Sequence, residues 1–80
     1  MPLYKKGIMD YEYVPLKFYS TTVMEKEIVS LFSDERGYLV CVADKSDSTN
    51  TQEHVFLHFH LALGRYLDVV SKLAYNELNK

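Results

Sequence analysis

Three histidines, His54, His58 and His60, are the side chains whose type and spacing come nearest to a metal site. On a helix, His54 and His58 stand one turn apart and could share a cation. On a strand, all three point to one face as an H-x-H pair with a third nearby. A site needs further ligands, and Glu53 is the one sequence neighbour able to supply one. The histidines are therefore read as surface or core-edge residues, and no metal and no cofactor is expected. A His-dependent metal site stays as a third functional alternative.

Nucleophilic chemistry has little to work with. Cys41 lies between Val40 and Val42, a setting that suits a small buried hydrophobe; an activated thiolate wants a nearby cation or a helix N-terminus. No serine sits in a G-x-S-x-G turn that would hold it strained and exposed. Gly7, Gly37 and Gly64 are too few and too scattered for a phosphate-binding loop. The acid pairs Asp34-Glu35 and Glu25-x-Glu27 read as solvated turn and edge residues. No catalytic residue is expected, and the protein is read as non-enzymatic.

Aromatic residues are the other unusual feature, with seven Tyr and four Phe. Tyr4, Tyr11, Tyr13, Phe18 and Tyr19 share the first quarter of the chain with Lys5, Lys6 and Lys17. Aromatics beside cations on an exposed sheet face can stack unpaired bases. Tyr-rich surfaces equally mark protein interfaces, where the ring supplies contact area at small entropic cost. Tyr11, Tyr13, Lys17 and Tyr19 are accordingly assigned to a protein partner, with single-stranded nucleic acid as the alternative occupant of the same patch.

The elements that would position these groups differ in clarity. Residues 11–20 read as a strand, with Pro15 at an edge or bulge because it lacks an N–H. Residues 38–43, Tyr-Leu-Val-Cys-Val-Ala, form an apolar run opened by Gly37 and read as a central strand. Between them the pattern forks. Thr22 with Glu25 makes a capping box for a helix over 22–34, yet Ile28–Phe32 is strand-like and Asp34-Glu35-Arg36-Gly37 suits a hairpin loop. The hairpin is preferred because the two flanking runs are apolar and similar in length.

From Phe56 onward, Phe59, Leu63, Tyr66, Leu67, Val70, Leu73 and Ala74 recur at helical spacing, with starts available at Thr49 or Asn50. This predicts one helix over about residues 51–78. A strand over 54–61 competes, but a separate helix starting near Ala62 would lack a capping residue and carry Gly64 in its first turn. At 1.5 Å per residue the long helix would reach about 42 Å, against a domain diameter near 30 Å. Leu57, Leu61 and Tyr75 fall away from its main apolar stripe, so a second subunit is expected to cover them.

Eighty residues with 48% apolar and 25% charged side chains suit one small globular domain. One cysteine excludes an internal disulfide and suggests a reducing compartment. Residues 1–24, 25–53 and 54–80 carry charges of +1, −4 and +1, giving the net −2 and no continuous basic footprint. No window is apolar enough to span a membrane or to form a signal-peptide core, so a cytoplasmic location is expected.

The chain thus reads as a single α+β domain over 1–80, with residues 1–9 a loosely held arm. A three-stranded, mainly antiparallel sheet is covered by one long C-terminal amphipathic helix. Its function reads as protein interaction: a homodimeric small adaptor, regulator or inhibitor that also binds an unidentified protein.

Overall fold

The structure, a computed structural model, describes residues 16–79. Strands β1 (Lys17–Val23), β2 (Glu27–Asp34), β3 (Gly37–Asp44) and β4 (Thr51–Phe56) lie side by side in chain order in one antiparallel sheet. Helix α1 (Phe59–Leu78) follows. The fold is α+β, with four strands rather than three.

Period-two patterning on β2 and β3 explains the centre of the sheet. Val29 and Leu31 pair with Val42 and Val40, and these four share one face. Asp34 pairs with Gly37 across the two-residue turn Glu35-Arg36, so the hairpin reading of this region holds and the helix over 22–34 does not form. Thr22, the candidate helix cap, instead pairs with Val29 on the neighbouring strand. A second turn joins β1 to β2 and is closed by the Met24 N–H donating to the Glu27 carbonyl at 2.7 Å. The register of β1 slips between Phe18 and Ser20, a bulge that lets Tyr19 and Ser20 both reach the helix-bearing face.

The helix expected over 51–78 is shorter at its start, because residues 51–56 form β4. In six successive pairs from Ala43↔Thr51 to Tyr38↔Phe56, the strand hydrogen-bonds along β3. Six residues of helix would have left the apolar edge of β3 unpaired, and that cost outweighs the missing helix cap. α1 indeed starts without one: His58 is its N-cap and makes no side-chain capping bond, and no acidic residue sits in its first turn. Its 20 residues extend about 30 Å, shorter than the helix expected over 51–78.

α1 lies over β2 and β3 and buries Ala62 and Tyr66 against Met24, Val29, Leu31 and Val40. Val29, Leu31 and Val40 are essentially inaccessible to solvent. The Tyr66 hydroxyl hydrogen-bonds Ser20 Oγ at 2.9 Å and Thr22 Oγ1 at 2.5 Å, tying the first strand to the last helix. On the opposite face Leu39 is fully buried between its cross-strand partners Phe32 and Val55. The Phe18 ring lies 5.4 Å from that of Phe32.

Gly64 is a helix-interior glycine with open space where a Cβ would stand. Gly64→Ala is therefore expected to stabilise the domain by about 0.5–1 kcal/mol through reduced backbone freedom in the unfolded chain. Thermal melting checks this, and an unchanged or lowered midpoint would contradict the open environment.

Candidate interaction site

The N-terminal aromatic and basic patch is only partly within the described residues. Tyr11 and Tyr13, like Tyr4, Lys5 and Lys6, lie outside them. Tyr19 and Lys17 are described, and they engage each other: Lys17 Nζ stands 5.3 Å from the Tyr19 ring centroid. The Tyr19 ring also packs at 5.0 Å on Phe59 and 6.4 Å on Tyr38, and its hydroxyl meets Ser33 Oγ at 3.3 Å. Tyr19 thus helps to fasten the start of α1 to the sheet, which leaves its ring poorly placed to stack an incoming base.

The three histidines do not converge as a strand over 54–61 would have made them. His54 is on β4, on the face that carries α1, because it pairs with Val40. The chain then bends, His58 becomes the helix cap, and the His58 and His60 rings stack at 5.8 Å. Among the described residues no three His, Cys, Asp or Glu side chains are grouped to hold a metal ion.

Cys41 is half-buried on the face away from the helix, opposite Glu53. Burial and the Glu53 carboxylate both push its thiol up, away from the reactive thiolate. Nearby, Arg36 bridges two strands. Its guanidinium contacts Asp34 at 2.7 Å and Glu53 at 3.0 Å, joining the β2–β3 turn to β4. Hydrogen bonds from Arg36 hold the Asp34 carboxyl below the usual carboxylate range. The group is exposed, so it orients the turn more than it stabilises the domain.

Among the described residues, two surfaces are left without partners. One is the outer face of α1. Leu61 and Tyr75 are 49% and 67% exposed there, and Leu57, in the bend before the helix, is 82% exposed. Leu67, which the helical spacing assigns to the core stripe, is 55% exposed and joins this outer face, as does Leu78 at 85%. At 100° per residue Leu67 lies about 100° from Tyr66, too far round to reach the sheet.

The other is the free edge of β4, which a helix over 51–78 would have removed. The Asp44 N–H donates to the Asn50 carbonyl at 3.1 Å. Alternation along an antiparallel ladder then directs the backbone of Gln52, His54 and Phe56 toward β3, and that of Thr51, Glu53 and Val55 outward. The opposite edge, β1, is interrupted by its bulge and carries Lys17, two devices that discourage strand addition. The β3–β4 register has no bulge.

Comparisons of the chain with family models, with curated proteins and with solved structures give no match.

Proposed function

We propose that the protein is a non-enzymatic interaction module that works as a homodimer, in the manner of a small adaptor, regulator or inhibitor. The observation that supports this reading is the outer face of α1. A helix with one face on a sheet ordinarily presents polar groups on the other. Here Leu61, Leu67, Tyr75 and Leu78 face solvent, with Leu57 beside the helix start. Large apolar side chains exposed along a helix favour burial against another surface, and a second copy offers the same set about a two-fold axis. Leu57, Leu61 and Tyr75 are the residues assigned to that contact. Lys17 and Tyr19, with Tyr11 and Tyr13, are assigned to a further protein partner.

Light scattering on a sizing column is expected to give twice the chain mass of 9.3 kDa. Leu61→Glu should return the mass to that of one chain, because the new carboxylate would be desolvated in the interface. A single-chain mass at all concentrations, or a dimer indifferent to Leu61→Glu and Tyr75→Glu, would remove this reading.

A further inference from the structure

We propose that the free edge of β4 takes up an extended acidic segment of another protein as a fifth strand. The site adjoins the outer face of α1, because Arg65 and Lys72 stand at helical spacing between Leu61 and Tyr75, but its backbone contacts do not require dimer formation.

The backbone supplies the first half of the argument. Thr51, Glu53 and Val55 direct their N–H and C=O groups away from the sheet, in an exposed strand whose register is unbroken. Such a row of donors and acceptors is what strand addition uses.

Charge supplies the second half. The recess that Val23 and Met24 share with Ala74 and Leu78 places that flank of α1 on the β1 side. The Glu25 N–H, which donates to Glu77 at 2.7 Å, and the Tyr66 hydroxyl on Ser20 and Thr22 agree. The opposite flank, which carries Arg65 and Lys72, therefore leans toward β4. Among the described residues no carboxylate lies within 4 Å of Arg65, while Lys72 pairs with Asp68 at 3.2 Å in the open. His54 stands on the same face of β4, so a strand laid along this edge would have Arg65 and the Lys72–Asp68 pair above it on one side. On its other side it would meet Val55, 49% exposed. A segment alternating carboxylates with apolar side chains satisfies both faces, since successive residues of a strand point oppositely.

In two of its registers a second copy of β4 fits less well. Two copies pair antiparallel about an axis normal to the sheet, so one residue must meet its own copy. Centred on Glu53, two carboxylates are opposed. Centred on His54, the Arg65 and Lys72 flanks of both copies line one groove without added negative charge.

The test uses the full chain and two fluorescein-labelled ten-residue peptides, one alternating Glu with Val and one alternating Lys with Val. Fluorescence anisotropy at low salt is expected to show saturable binding of the acidic peptide, about tenfold tighter than the basic one. Val55→Pro removes an outward N–H together with the Val55 side chain and should weaken binding about tenfold with the fold retained, which circular dichroism checks. Arg65→Glu should weaken it about fivefold or more. Hydrogen exchange on the unmodified protein gives an independent reading: the amides of Thr51, Glu53 and Val55 should slow on adding the acidic peptide. The proposal is overturned if neither peptide saturates, if both bind equally, or if Val55→Pro changes nothing. Amides already protected in the free protein at dimer-forming concentrations would also overturn it, assigning the edge to a second copy.

Discussion

Gly37→Ala is expected to destabilise the domain by about 3 kcal/mol, from two causes that act at one atom. Gly37 has φ of +132°, a backbone conformation that side-chain-bearing residues rarely adopt. A Cβ added there would also lie 2.7 Å from the Phe56 carbonyl oxygen, which is backbone and cannot swing aside. Relief requires the start of β3 to separate from the end of β4, where Tyr38 pairs with Phe56. The loss should appear as a lower urea midpoint and as faster amide exchange along β4 before the rest of the sheet. Gly64→Ala is the natural control, being the same substitution in open space. If Gly37→Ala melts within about 0.5 kcal/mol of the parent, the turn does not have this geometry.

Leu31→Ala is the second large effect, also about 3 kcal/mol. Leu31 is 1% exposed, pairs with Val40 on β3 and with Ser20 on β1, and belongs to the cluster beneath Ala62 and Tyr66. Truncation loses the transfer free energy of the removed carbons and leaves a cavity that a hydrogen-bonded central strand cannot collapse to fill. For a chain of this size total stability is roughly 4–12 kcal/mol, so the change removes a large fraction of it. The thermal midpoint should fall by roughly 12–24 °C. A fall under about 5 °C would mean that α1 does not bear on the sheet at this point.

How much of the fold and of the candidate site is legible in the sequence depends on where each signal resides. The Gly37-to-Ala43 strand and the turn before it can be read locally, because an apolar run and an Asp-x-x-Gly loop carry their own instructions. The hairpin at 22–34 is legible for the same reason, since two similar apolar runs beside one turn favour pairing over a helix. Residues 51–56 cannot be read the same way. Phe56 and Phe59 fit a helical period with Leu63, while His54 and Phe56 fit a strand with equal ease. What decides between them is the exposed side of β3, a partner that the local pattern does not display. The helix start at His58 shows the same limit: capping rules argue against a helix there, and packing of Phe59 on Tyr19 and Tyr38 overrides them. Of the surfaces, Leu61 and Tyr75 are visible from helical spacing alone. The β4 edge is not, because an edge exists only once its strand has been recognised. Leu67 is misplaced by spacing, because its distance from Leu63 and Tyr66 fits a stripe wider than the sheet can cover.

The bonds from Tyr66 to Ser20 and Thr22 join residues 46 and 44 positions apart. The strands, in contrast, pair strictly with their neighbours in sequence. During synthesis the four strands can therefore assemble as each hairpin emerges, while the helix that covers them leaves the ribosome after all four. Until then Val29, Leu31 and Val40 face water on a sheet with no lid. The interval is set by translation of residues 59–78 and their passage through the exit tunnel rather than by the folding rate of the sheet. At about 5–20 residues per second it lasts seconds, long beside the microseconds in which a hairpin forms, and during it the half-finished domain is a natural client for chaperones that bind apolar strands.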